Sequence, residues 1–176
     1  MLIKNATIIN EGQSFKGSVL VKGDTIQSIF HEDDALPADD DTLDAEGLIL
    51  VPGVIDDHVH MRDPGLTHKA DMHTETMSAL AGGVTSVMDM PNVVPQTTTM
   101  ELWQQRMDYA SQHCHANYSF YLGATNDNLQ EIRQIDTHRI PALKLFMGSS
   151  TGGMLVDREE QLRQIFTLCP TALSPA

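Results

Sequence analysis

The amino-acid sequence predicts an α/β protein built on parallel strands, and three observations carry that prediction. From residue 48 onward short apolar runs alternate with helical patterns, some of those runs are apolar almost without a break, and Gly or Pro punctuates the joins. Right-handed crossovers then leave two architectures, an open doubly wound sheet or a barrel, and periodicity does not choose between them.

Before that region, residues 1 to 30 alternate apolar and polar positions in three bursts, Leu2 to Ile9, Ser18 to Val21 and Thr25 to Phe30. The turn pair Gly23-Asp24 divides the last two, so these are expected to be hairpin strands of a small β segment. His31 to Asp44 is rich in Asp and Glu and holds Pro37, the composition of a solvated connector. Leu48-Ile-Leu-Val51, Pro52-Gly53 and Val54-Ile55 then form an apolar run of the kind seen in strands buried on both faces.

The alternation continues along the chain. A helix is expected from about Lys69 to Ala81, a strand from Thr85 to Met90, a helix from Met100 to Cys114 and a strand from Ala116 to Leu122. A short helix around Leu129 to Ile135, a strand from Ala142 to Phe146 and a helix from Asp157 to Leu168 complete the series. Division into a β segment over 1–50 and an α/β region over 51–176 follows.

Composition narrows the classes of partner. The 176 residues are 41% hydrophobic and 20% charged, which is the balance of a globular protein with a packed core. Eleven Lys and Arg stand against twenty-four Asp and Glu, for a formal charge of -13, so neither nucleic acid nor an anionic membrane surface is an expected partner. No apolar run approaches the roughly 20 residues of a membrane span, and Met1 to Asn10 lacks the basic start and long apolar centre of a signal peptide. A cytoplasmic location is expected, with Cys114 and Cys169 as free thiols.

The most informative stretch is Asp56-Asp57-His58-Val59-His60-Met61-Arg62-Asp63-Pro64-Gly65, in which an apolar strand ends in two histidines one residue apart. Residues i and i+2 of a strand point the same way, so His58 and His60 can present two imidazoles to one metal ion. A bare His-x-His is more often a surface feature. Here the position at the end of a buried strand, before an Arg and a Pro-Gly turn, favours the metal.

Four motifs in this order resemble the dihydroorotase branch of the amidohydrolase superfamily: His58 to Gly65, Ala81-Gly-Gly-Val-Thr85, Met90-Pro-Asn92 with Pro95, and Leu143-Lys-Leu-Phe146. The resemblance implies the N-terminal part of a (β/α)8 TIM barrel, preceded by part of a small β-sandwich domain. It further implies that His58 and His60 bind the more buried of two Zn2+ ions and that Lys144 is the lysine carboxylated to bridge both. A protonated amine between two cations is disfavoured, whereas a carbamate gives an anionic oxygen to each. Alone, a lysine in an apolar strand more often snorkels outward.

By the same resemblance Arg62 and Asn92 hold a substrate carboxylate, the guanidinium through paired hydrogen bonds and the amide as a neutral donor. Their structural alternatives are a turn residue paired with Asp63 and a cap on the turn after Pro91. The implied activity is reversible, zinc-dependent hydrolysis of dihydroorotate to N-carbamoyl-L-aspartate in pyrimidine biosynthesis, with assembly as a homodimer compatible with it. Related cyclic amidases acting on hydantoins, dihydropyrimidines or allantoin, and a non-catalytic remnant of the fold, are the alternatives. A whole barrel takes about 250 residues, so the family's later two histidines and its proton-relaying aspartate are expected beyond residue 176, and little turnover is expected from this chain.

Other signals are discounted. His113-Cys114-His115 falls at a helix end, on the side of a barrel opposite its catalytic face, and His68, His73 and His138 need no metal to explain them. Gly148 to Gly153 lacks the Gly-Lys-Ser/Thr ending of a phosphate loop, and Met72 and Met77 suit adaptable core filling.

Overall fold

A computed structural model describes residues 1–38, 41–148 and 152–172, with side chains as far as Leu168. Backbone contacts divide the chain into two compact units, Met1–Pro52 and Gly53–Ala176. The fold is mixed α/β.

The first unit is one sheet of five strands: β1 (Leu2–Asn10), β2 (Gln13–Lys22), β3 (Thr25–His31), β4 (Thr42–Asp44) and β5 (Ile49–Leu50). Its order is β3-β2-β1-β4, with β5 also pairing β1. The β1 to β2 hairpin closes through Glu11 and Gly12, both at positive φ (49° and 75°), the backbone that matches the right-handed twist of paired strands. Gly23-Asp24 makes the second turn as expected, between the partners Lys22 and Thr25. Ala6, Ile8, Val19 and Ala45 form the small core.

One expectation fails in this unit. The acidic stretch read as a connector ends in a strand, because Thr42–Asp44 runs parallel to β1 with Leu2, Ile3 and Lys4 as partners. Composition missed it because all three residues are exposed and what holds them is backbone pairing. Among the described residues every strand of the unit lies in one sheet, which is compatible with the expected part of a sandwich.

The second unit carries parallel strands β6 (Val54–Val59), β7 (Val84–Asp89) and β8 (Asn117–Phe120) in that order. After Tyr121 the extended chain resumes as β9 (Leu122–Gly123), which pairs in parallel with β10 (Leu143–Lys144). Helices α1 (Met72–Ala81), α2 (Met100–His113), α3 (Leu129–Ile132) and α4 (Glu159–Ala172) alternate with these strands. Asp71 caps α1 by accepting from the Thr74 N–H at 2.8 Å, and Thr99 caps α2 by accepting from the Leu102 N–H at 3.2 Å.

Along α2, Trp103, Arg106 and Ala110 are buried, the i, i+3, i+7 spacing of one helix face. Trp103 belongs to the core cluster with Met61, Met72, Val87, Phe120 and Ile165, and its Nε1 donates to the Phe120 carbonyl at 2.9 Å. The packing of helices on strands that the sequence predicts is therefore present.

The run from residue 48 to 55 is not one strand buried on both faces. Residues 51–53 separate β5, in the first unit, from β6 in the second. β6 is an edge among the described residues, so Val54 and Ile55 are 53% and 62% exposed. Apolar composition records what a strand can bury, not whether neighbours cover it. Met72 is fully buried as expected, but Met77 lies 52% exposed on α1 and fills no core. The Cys169 thiol and part of the Gly148 to Gly153 loop fall outside the described residues.

Because Trp103 combines a large buried side chain with a hydrogen bond to a strand carbonyl, Trp103→Ala is expected to lower the unfolding free energy by about 3 to 5 kcal/mol. Urea denaturation followed by far-UV circular dichroism measures it. A loss under 1 kcal/mol would show that this face of α2 is not packed as described.

Candidate functional site

The site lies where β6 and β7 stop. The parallel ladder ends at the pair Val59 and Asp89, and the two chains continue into the segments that hold His60 to Gly65 and Met90 to Gln96. These segments are knitted together beyond the ladder: the Met90 N–H donates to the Val59 carbonyl at 3.1 Å, and the Val94 N–H to the Pro64 carbonyl at 3.1 Å. Gly65, at φ 81°, lies so close to Val94 that a side chain there would collide with the Val94 backbone. Tyr121 contributes from the next strand, its hydroxyl donating to the Asp57 carbonyl at 2.9 Å.

His58 and His60 come together, their ring centroids 5.5 Å apart. His58 is exposed and His60 half-buried. Nδ1 of His60 lies 3.0 Å from Oδ1 of Asn92; with the amide oxygen as acceptor, the proton sits on Nδ1 and Nε2 keeps its lone pair. Burial lowers the His60 pKa below the usual imidazole value, and the charge of Arg62 lowers it further, against the pull of the Asn92 hydrogen bond. A neutral imidazole with one free nitrogen is the form that ligates a divalent metal. The residues present therefore fit zinc, with His58 and His60 as its nitrogen donors.

Lys144 ends β10 half-buried, near enough for its charge to contribute to the lowering at His60. As the free amine it lies 5.0 Å from the centre of the Phe146 ring. Among the described residues no group of three or more His, Cys, Asp or Glu side chains is placed to hold a metal ion.

Arg62 and Asn92 line one cavity of about 490 Å³ with Leu66, Lys69, Val94 and Gly152. Strand alternation does not set the direction of Arg62 relative to His60. β6 ends at Val59, and Arg62 sits at φ 66°, in the left-handed region that a residue with a Cβ enters at a cost. Asn92 has a use the sequence did not suggest, since its oxygen is engaged by His60 and its amide group is left as a donor.

Lys69, a further cation at this cavity, was also missed; it lies in a stretch read as helix, ahead of where α1 starts. Asp89 and Arg106 escaped as well. The signal was a lone carboxylate closing an apolar strand, Val87-Met88-Asp89, with an Arg on the buried face of the following helix.

The discounted histidines do have partners. His73 and His115 share a hydrogen bond of 2.9 Å on the surface, and His113 stacks on Tyr109 with centroids 3.8 Å apart. Burial pushes the Cys114 thiol up to about 11, so it is protonated and inert at neutral pH.

With this geometry in hand, comparison with known proteins gives a consistent result. A family model described as dihydro-orotase-like matches residues 47–134. A dihydroorotase of Methanosarcina acetivorans is 32% identical over 158 residues, covering 89% of this chain and 33% of that protein. An allantoinase of Streptomyces avermitilis is 31% identical over 151 residues, covering 85% and 34%. Among solved structures, the L-hydantoinase (dihydropyrimidinase) from Arthrobacter aurescens superposes with a TM-score of 0.88 at 28% identity, over 97% of this chain and 38% of that one. The chain thus spans about a third of the length of the curated relatives it matches.

The left-handed backbone at Arg62 gives a direct test of whether its side chain is kept for binding. Arg62→Gly relieves the strain, so it is expected to raise the unfolding free energy by about 1 kcal/mol in urea denaturation while removing affinity for small carboxylates. A glycine variant that is less stable would show that the Arg62 side chain supports the fold instead.

Proposed function

We infer what this chain does from the family to which it belongs, the dihydroorotase-like family of cyclic amidohydrolases. We propose that it supplies the metal-binding and carboxylate-binding portion of a dihydroorotase, which opens and closes the ring of dihydroorotate and N-carbamoyl-L-aspartate. In this reading β6 to β10 are early strands of a (β/α)8 barrel. The single observation that carries the choice of substrate is the cavity in which Arg62, Lys69 and Asn92 meet, beside the two imidazoles.

The division of labour follows from the chemistry of each group. His58 and His60 would hold the metal, with Lys144 joining them once carboxylated. A bound zinc pair would supply a water acidic enough to attack near neutral pH and would polarise the ring carbonyl. Arg62 binds and orients the substrate carboxylate, in a geometry that suits two parallel N–H···O bonds, and the amide group of Asn92 donates beside it. The Asn92 oxygen fixes the His60 ring by taking its Nδ1 proton into a hydrogen bond, an arrangement that commonly sets both tautomer and basicity of a metal-ligating histidine.

Hydantoinase or allantoinase chemistry is the second reading, favoured by the L-hydantoinase superposition and by the allantoinase similarity. The charge of the cavity separates the two. Hydantoin carries no carboxylate, and two cations would be left without a partner when it binds.

Cobalt(II) stands in for zinc and reports its ligands by visible absorption. The 176-residue chain in bicarbonate buffer is expected to bind Co2+, with His58→Ala and His60→Ala each weakening uptake at least about tenfold. Lys144→Arg is expected to remove any dependence on bicarbonate. In calorimetry N-carbamoyl-L-aspartate is expected to bind and hydantoin not, with Arg62→Met costing about 2 kcal/mol or more of affinity. Folded chain that takes up no cobalt, or that prefers hydantoin, ends the dihydroorotase reading.

A further inference from the structure

Beyond Val59 and Asp89 the segments that carry His60, Arg62 and Asn92 have no strand ladder to set their register, so something else must hold them. Asp89 closes β7 with no solvent exposure, and Arg106 comes from α2 at 3%. Oδ1 of Asp89 accepts from the Met61 N–H at 3.1 Å and from the Met90 N–H at 2.8 Å. Met61 stands between His60 and Arg62, and Met90 two residues before Asn92, so one carboxylate oxygen grips both site segments.

Its other oxygen meets Nη2 of Arg106 in a close ion pair. Nη1 of the same guanidinium donates to the Met90 carbonyl at 2.9 Å and to the Thr97 hydroxyl at 3.4 Å, and the guanidinium lies 4.3 Å from the centre of the Phe120 ring. The pair thus touches the start and the end of the Met90 to Thr97 segment as well as the strand beneath it.

We propose that Asp89 and Arg106 are positioning residues for the candidate site, a buried clamp that fixes His60 and Arg62 on one side against Asn92 on the other. Neither lines the cavity around Arg62, so they act through the groups they hold. The inference rests on the reading that those groups bind metal and carboxylate. Burial pushes the Asp89 carboxyl up to about 6 against the pull of Arg106 and the two backbone donors. A buried pair of this kind is weak support for stability as such, because desolvation consumes most of its Coulombic gain, whereas the directed hydrogen bonds it makes are specific.

The experiment compares Asp89→Asn, Arg106→Lys and the control Ile165→Ala, which opens the core on α4 at a residue making none of the clamp's contacts. Amide hydrogen exchange at Met61 and Met90 is read by NMR on the 176-residue chain, with Co2+ affinity as a second readout. Asp89→Asn is expected to speed exchange at Met61 about tenfold beyond what its global stability accounts for. It is also expected to weaken Co2+ binding about tenfold or more. Arg106→Lys, which keeps the charge but loses the forked donors, is expected to change both in the same direction and by less. Should Asp89→Asn not fold, Arg106→Lys decides by the same two readouts.

If exchange at Met61 and Co2+ affinity in the clamp variants track global stability as they do in Ile165→Ala, the pair is a structural contact only and the proposal is overturned. If the unsubstituted chain takes up no cobalt, the metal reading fails, and the amide exchange still decides whether the clamp positions these segments.

Discussion

Two opposite charges placed in the core between a strand end and a helix are the constraint on which the second unit turns. Burying either Asp89 or Arg106 alone would cost several kcal/mol, so each is tolerable only with its partner in place. That requirement ties the C-terminal end of β7 to the middle of α2, and therefore sets how the helix lies on the sheet. Trp103 one turn earlier and Phe120 beneath pack around the pair and exclude water from it. The same carboxylate then reaches the backbone of both segments that leave the sheet, so packing and site geometry depend on one contact.

The site divides by charge. On one side stand imidazoles, one with its pKa lowered mainly by burial, and on the other the cations Arg62 and Lys69. Asn92 is the joint between them, because its oxygen is committed to His60 while its nitrogen faces no such demand. In the proposed reading an amide serves where a carboxylate would not, since an Asp there would place a negative charge beside the substrate carboxylate.

Much of this was legible in the residues. The alternation of apolar runs with helical patterns located β7, β8 and α2 to within a residue or two, and His58-Val-His60 marked the strand end where the site lies. The motif order pointed to the family that the comparisons show. What escaped has a common physical cause: it depends on neighbours distant in sequence. Thr42–Asp44 is a strand because β1 lies beside it, and Met77 is exposed because none of the described residues covers it on α1. The backbone of Arg62 is set by the segments around it and not by its own preference, which is against it. Arg106 drew no reading of its own because only the fold brings Asp89 to it.

The open side of β6 has a further consequence. No strand among the described residues pairs with that side, and Val54 and Ile55 lie exposed on it. Such an edge is a template for an extended segment that meets it, and between residues 54 and 59 the exposed charges of Asp56 and Asp57 are what deter pairing. Two copies of this edge meeting in register would set like charges against one another, so a segment that pairs there is favoured when it brings a cation opposite Asp56 or Asp57.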